Sequence, residues 1–261
     1  MVVSKRAEDR KEEILMQIRK KNRVYVSDLS DQFTVSEVTI RKDLQELERR
    51  GLARRVHGGA INIVNTAVEP TLSELEQTNI EVKRIIAREA FEHVASHDAV
   101  FMDASTTTRE MIPFIRQHPE KKITVITSSV LTAAELANVE HVTLIMIGGN
   151  VRSSISSVEG PQAISFVQEF HADKAFIGTN GFDMAGGVTI ANINESQLKR
   201  AMIENASQTY LIADSSKYNC IALSRVCPME RIDFLITDEK FLDEDIAVME
   251  RQGVEVIIAR G

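Results

Sequence analysis

Up to about residue 50 the hydrophobic positions recur with helical spacing. Ile14, Leu15 and Ile18 mark one side of a helix over 10–20, and Leu29 and Phe33 share a face of a brief helix over 27–33. Ile40, Leu44 and Leu47, at i, i+4 and i+7, form the stripe of a third helix beginning near Ser36. A short apolar run, Val24-Tyr25-Val26, separates the first two. Gly51 is placed to cap the third helix, and 52–56 and 60–63 read as two strands flanking His57-Gly58-Gly59.

Beyond a stretch from about 65 to 73 where the periodicity lapses and Pro70 interrupts, the pattern changes. A helix over 81–95 with Ile85, Ile86, Ala90 and Val94 inward precedes short apolar runs at 99–102, 123–126, 143–147, 174–177, 210–213, 234–236 and 254–258. Helical segments lie between most of them. Such alternation predicts a mostly parallel sheet covered on both faces. The expected division is therefore a small unit over 1–63, a linker over 64–78 and an α/β domain over 79–261.

A length of 261 residues fits two domains, and 43% hydrophobic content suffices for a full core in the larger one. No apolar run reaches the roughly 20 residues that span a bilayer, and no signal peptide precedes the first helix. A cytoplasmic protein without a membrane partner is expected. The six residues between Cys220 and Cys227 match no zinc spacing, so two reduced thiols are expected and no metal or other cofactor.

Charge separates the two units. Residues 1–60 hold 14 Lys/Arg against 10 Asp/Glu, whereas the whole chain carries a net charge of −7. The positive excess, which includes Lys5, Arg6, Lys20, Lys21, Arg23, Arg41, Lys42, Arg54 and Arg55, confines any polyanion binding to this end. The third helix has Ser36 as its N-cap and carries Glu37, Thr39, Arg41, Lys42 and Gln45 among its polar positions. Taken alone it suits either a solvated amphipathic helix or a major-groove reader. The preceding short helix makes the pair a helix-turn-helix unit. Arg54 and Arg55 would lie on a basic wing along the phosphate backbone, with His57 as a turn residue near phosphate. Thr39, Arg41 and Lys42 are the main candidate contacts, and Ser36 is both cap and phosphate donor.

In parallel sheets ligands bind beyond the carboxyl ends of the strands. Those ends are polar here. They read Asp103-Ala104-Ser105-Thr106-Thr107-Thr108, Thr127-Ser128-Ser129, Gly148-Gly149-Asn150-Val151-Arg152, Gly178-Thr179-Asn180-Gly181-Phe182-Asp183 and Asp214-Ser215-Ser216-Lys217. Glu195 and Lys199 stand at i, i+4 on a helix, a spacing shared by surface ion pairs and sites. Hydroxyls, carboxylates and one or two cations suit a small phosphorylated polyol. The candidate effector residues are Asp103, Ser105, Thr106, Thr107, Ser128, Ser129, Gly148, Gly149, Arg152, Asn180, Asp183, Glu195, Lys199, Asp214 and Lys217.

The run Leu29…Phe33-Thr34-Val35-Ser36-x-x-Thr39-Ile40-Arg41-Lys42-Asp43-Leu44, continued by Gly51-Leu52 and by Arg55-Val56-His57-Gly58-Gly59-Ala60, resembles the winged helix-turn-helix of the DeoR family of bacterial sugar-metabolism regulators. Asp103 with Thr106-Thr107, Thr127 with Ser129, Gly148-Gly149, Ala175-Phe176-Ile177-Gly178 and Asp214-Ser215-Ser216-Lys217 are similar in order to that family's effector domain. Ser105 stands where the family usually has Gly, Ser128 where it has Asn, and Lys42 where many members have Arg. The resemblance implies a winged helix-turn-helix followed by a Rossmann-like, ribose-5-phosphate-isomerase-like α/β domain. It also implies a transcriptional regulator, a repressor of a carbohydrate-utilisation operon, with double-stranded operator DNA and a phosphorylated sugar as partners. A homo-oligomer, dimer or tetramer, would place two recognition helices on repeated half-sites. The rival is a sugar-phosphate isomerase with a DNA-binding appendage. It would need a positioned base, for which Asp183 and Glu195 are the nearest candidates, and no catalytic residue is assigned.

Overall fold

The computed structural model describes residues 2–21, 23–50, 52–62 and 71–261. The chain divides into two compact units, Met1–Asn65 with Ser216–Cys220, and Thr66–Ser215 with Ile221–Gly261.

The first unit runs α1 (Val2–Lys21), β1 (Arg23–Tyr25), α2 (Val26–Phe33), α3 (Glu37–Arg49), β2 (Ala53–Val56) and β3 (Gly59–Asn62). The helical stripes meet as the spacing predicts. Ile14, Ile18, Leu29, Ile40, Leu44 and Leu47 share one core. α2 ends on Thr34, whose left-handed φ of 53° turns the chain sharply toward α3. The Ser30 hydroxyl braces that turn by donating to the Val35 carbonyl at 2.6 Å. The wing has three strands in the order β1-β3-β2, because β1 pairs antiparallel with β3. Gly51, the expected helix cap, and 64–70 of the expected linker lie outside the described residues.

The remainder of that linker is a correction. Residues 72–77 form a helix, α4 (Leu72–Gln77), started by a capping box in which Thr71 and Glu74 satisfy each other's backbone N–H groups. The signature Thr-x-x-Glu was present, but too few apolar positions follow it to show a period.

The second unit continues with α5 (Ile80–Glu92), β4 (Ala99–Met102), α6 (Thr106–Arg109), α7 (Ile112–Gln117), β5 (Ile123–Thr127), α8 (Val130–Leu136) and β6 (Val142–Met146). A hairpin, β7 (Asn150–Arg152) and β8 (Ser157–Glu159), leads to α9 (Pro161–Val167) and β9 (Ala172–Ile177). Next come β10 (Gly181–Asp183), β11 (Gly187–Ile190), α10 (Ile193–Glu204), β12 (Ala206–Ile212), β13 (Ser224–Cys227), β14 (Phe234–Asp238), α11 (Asp243–Glu250) and β15 (Glu255–Ala259).

All seven expected strands join one sheet in the order β15-β14-β12-β9-β4-β5-β6, and every pairing in it is parallel. Ile86, Ala90 and Phe91 of α5 share a core with Val100, Met102 and Phe176 of the sheet. From β4 the chain steps outward through β5 to β6, then returns to the other side of β4 with β9 and steps away through β12. β4 and β9 therefore flank the topological switch point, where a parallel sheet opens a crevice beyond its strand ends. The hairpin β7–β8 and the antiparallel sheet β10-β11-β13 were not read from the sequence. No helix among the described residues is long and apolar enough to cross a membrane.

Candidate functional site

In the first unit, Ser36 caps α3 as its position implies, its Oγ accepting the Thr39 N–H at 3.3 Å. α3 buries Ile40, Asp43, Leu44 and Leu47 and exposes Glu37, Arg41, Lys42 and Gln45, with Thr39 partly exposed. Asp43 accepts from the Arg10 guanidinium at 2.6 Å and so ties α3 to α1. Glu37 lies 3.1 Å from the Arg41 guanidinium one turn away. Both are more than half exposed, so the pair adds little stability. Arg54, Arg55 and His57 are exposed on the wing. Glu48 pins the wing to α3 by accepting the Arg55 backbone N–H at 2.8 Å. Arg23, counted in the positive excess, is buried, stacked over Tyr25 and donating to the His57 carbonyl, so its part is structural. Val38 was passed over by the sequence reading and stands 62% exposed on the first turn of α3.

In the second unit, Asp103 at the end of β4 and Gly178 at the end of β9 meet at the switch point. The Asp103 carboxylate accepts the Gly178 N–H at 2.7 Å, the Ser105 N–H at 2.9 Å and the Thr108 hydroxyl at 2.8 Å. The Lys199 ammonium lies 2.6 Å from Asp103 and 3.2 Å from Glu195, and donates to the Gly178 carbonyl at 2.8 Å. Glu195 also meets Arg152 at 2.5 Å, and Arg152 meets Glu159 at 2.5 Å. The i, i+4 pair is thus part of a buried charge chain, three carboxylates with two cations, and not a surface bridge.

Burial alone would push the Asp103 carboxyl up, but the Lys199 ammonium and the Ser105 N–H outweigh it and hold it below the usual carboxylate range. Burial would likewise lower the Lys199 ammonium, yet Asp103 and Glu195 raise it above the usual lysine value. Both stay ionised at neutral pH. The hairpin β7–β8 brings Arg152 and Glu159 in, held to the loop after β5 because the Val158 N–H donates to the Ser128 carbonyl at 2.8 Å. Val151 and Val158 flanking a serine-rich turn were the available sequence signal for it.

Residues 10–66 match the DeoR-like helix-turn-helix domain, and residues 78–239 match the DeoR C-terminal sensor domain. The chain belongs to the DeoR family of transcriptional regulators. This DeoR-family regulator is 38% identical to the transcriptional regulator GlpR of Haloferax volcanii, over 89% of this chain and 90% of that protein. It is 29% identical to the glycerol-3-phosphate regulon repressor of Escherichia coli K12, over 86% and 88%. Its structure has a slight likeness to ribose 5-phosphate isomerase A from Methanocaldococcus jannaschii, with a TM-score of 0.41 and 16% identity over 54% of this chain and 55% of that one.

Within this DeoR-family sensor unit several expected site residues hold local structure. Ser105 caps α6, its Oγ accepting the Thr108 N–H at 3.2 Å, and Ser129 caps α8 in the same way through Thr132 at 3.1 Å. Thr107 and Ser128 are buried beside them. Asn180 accepts the Ala191 N–H at 2.9 Å, and Asp183 accepts the Gly186 N–H within the β10–β11 turn. One oxygen of each side chain thereby braces its own loop. Asp214 is buried and accepts from Asn79 at 3.0 Å, whereas Lys217 falls in the segment Ser216–Cys220 that groups with the first unit. The Asp-x-Ser-Lys motif is therefore split between units. Asp238, unread in the sequence, fixes its loop by accepting the Ser215 N–H at 2.6 Å.

Gly148 and Gly149 differ in kind. A Cβ on Gly149, at φ +152°, would meet Val158 at 3.0 Å and the Glu159 carbonyl at 3.1 Å, while one on Gly148 would meet nothing within 4 Å. Gly148→Ala should therefore change the melting temperature by less than about 2 °C, the scale of a surface substitution within ±0.5 kcal/mol. A larger loss would show that Gly148 is needed for the fold. The Cys227 thiol is pushed up to about 12 by burial, and the two buried cysteines are not joined in a disulfide.

Proposed function

We propose that this regulator is a repressor of a carbohydrate-utilisation operon, binding double-stranded operator DNA through its winged helix and a phosphorylated sugar through its sensor unit. The observation that carries the sensing half is the buried charge chain at the β4/β9 switch point, ringed by hydroxyl loops. A buried constellation of this kind is costly to assemble for stability alone, and a polyol presents the hydroxyls that carboxylates and ammonium groups hydrogen-bond. The naming of the E. coli relative as a glycerol-3-phosphate regulon repressor fits a phosphorylated effector. A homo-oligomer, dimer or tetramer, supplies paired recognition helices. The effector acts by its different affinity for DNA-competent and DNA-incompetent states.

The isomerase reading is disfavoured by a specific contact. One oxygen of Glu195 faces Lys199 and the other faces Arg152, so neither is held free as a base. Turnover of ribose 5-phosphate by the purified chain would restore that reading.

On DNA, Thr39, Arg41, Lys42 and Gln45 face the major groove, Arg54, Arg55 and His57 follow the backbone, and Val38 offers an isopropyl group to a thymine methyl. The test is binding to duplexes selected from a random pool. Arg41→Ala is expected to flatten the salt dependence by about one unit if the arginine meets a phosphate, or to relax specificity at one base pair if it reads a base. No change in either removes Arg41 from the interface.

A further inference from the structure

The outward side of α10 is not wholly polar, as the solvent-facing side of a surface helix ordinarily is. Inward the helix sends Glu195 and Lys199 to the charge chain. Outward, Ile193 in its first turn is 60% exposed, in line with exposed Gln197 and Arg200 at i+4 and i+7. β13 lies alongside. The Ser196 and Ser224 hydroxyls are 2.6 Å apart, and the Arg200 guanidinium donates to the Val226 carbonyl at 2.9 Å and the Arg225 carbonyl at 2.7 Å. Leu223, 61% exposed, and Arg225, also exposed, stand two residues apart and so share a side of the chain entering that strand. The β10–β11 turn completes the face. Arg225 donates to the Ala185 carbonyl at 3.0 Å, and a Cβ on Gly186 would meet Asp183 at 3.0 Å and the exposed Ile221 at 3.3 Å.

The charges on this face are unmatched among the described residues. Arg200 and Arg225 are bonded to carbonyls and to no carboxylate, and Asp183 accepts the Gly186 N–H and meets no cation. Neutral carbonyls fix the direction of a guanidinium without balancing its charge. Exposed apolar side chains gathered with arginines are the composition of an association surface. This one carries both signs beside an apolar patch, so it is complementary to itself. A two-fold axis sets residue i against j and j against i, which can bring Asp183 of each copy to Arg225 of the other.

We propose that Ile193, Ile221 and Leu223, with Asp183, Arg200 and Arg225, form the face on which a second copy of the chain docks through a two-fold axis. The docking face presupposes the homo-oligomer of the proposed function and locates where its copies meet. α10 then stands between the charge chain and the second copy.

Sedimentation equilibrium of the full chain tests this. Ile193→Asp and Leu223→Asp should each weaken self-association about ten-fold or more, with an unchanged circular dichroism spectrum. Arg225→Glu and Asp183→Lys should each weaken it too, by setting like charges against one another. Mixed in equal amounts, those two charge variants should pair with each other about ten-fold or more tightly than either pairs with itself, because the mixture restores an acid opposite a base at both contacts. Their pairing also shows that both are folded, and it decides alone should an aspartate variant misfold. Folded Ile193→Asp and Leu223→Asp chains that associate like the wild type, or charge variants without preference for each other, overturn this docking face and leave the homo-oligomer standing. A wild-type chain that stays monomeric at every concentration overturns both.

Discussion

Lys199→Met should lower the melting temperature of the sensor unit by roughly 10 °C, one of the two largest effects expected of any single substitution in this chain. Lys199 is 2% exposed and faces two carboxylates, Asp103 and Glu195, that are themselves buried. Removing one partner of a buried pair leaves uncompensated charge, at a cost of about 3–5 kcal/mol. At about 2–4 °C per kcal/mol for a unit of this size, the shift is easily read by calorimetry. The pH dependence is distinctive. In the native chain the folded Asp103 carboxyl lies below its unfolded value, so its contribution is present above the ordinary carboxylate range and fades as pH falls through the folded value. The folded Lys199 ammonium lies above its unfolded value, so its contribution is complete below about pH 10 and fades only as pH rises beyond it. The pair therefore contributes steadily across neutral pH. Without Lys199 the buried carboxyls favour protonation, and mild acid should raise the variant's melting temperature while leaving the native chain's unchanged. Adding Asp103→Asn should recover part of the loss. A shift under about 2 °C would mean that the pair is solvated or dispensable.

Gly59→Ala should abolish operator binding while leaving effector binding intact. A Cβ on Gly59 would fall 1.9 Å from the Val24 carbonyl oxygen and 3.2 Å from the Tyr25 Cα, on the strand that β3 pairs with. The obstacle is backbone, so no rotamer can relieve it, and β3 must leave β1. The cost lies at or above the top of the ~1–3 kcal/mol range for overpacking. Ala60 and Ala53 of the small core would lose their seats with it. The sensor unit has its own core, so its ligand-induced thermal shift should persist. Retained operator affinity would show that the wing does not contribute to binding.

Much of the fold was legible because it depends on local chemistry. The Ser36 cap, the Ile40–Leu44–Leu47 stripe and the Leu29–Phe33 pair each follow from neighbours in sequence, and α3 formed where they place it. The seven short apolar runs all became strands of one parallel sheet. Tertiary choices were less legible. Lys83 falls on the stripe of Ile86, Ala87 and Ala90, a buried position that a lysine ordinarily signals against, and so it passed as surface. Arg152 and Glu159 reach the charge chain only through a hairpin too short to show alternation. The local bonding of contiguous motifs was equally hard to read. Asp183 accepts a hydrogen bond within its own turn, and Lys217 groups with the first unit whereas Asp214 groups with the second.

The central claim is that a phosphorylated sugar controls operator binding. Its most direct test is the affinity of the full chain for a selected operator duplex, measured with a sugar phosphate that binds it and with the same sugar lacking phosphate. The account predicts a shift of about ten-fold or more with the phosphorylated ligand and none with the other. Unchanged operator affinity in the presence of every sugar phosphate that binds, or an equal response to the unphosphorylated sugar, would contradict it.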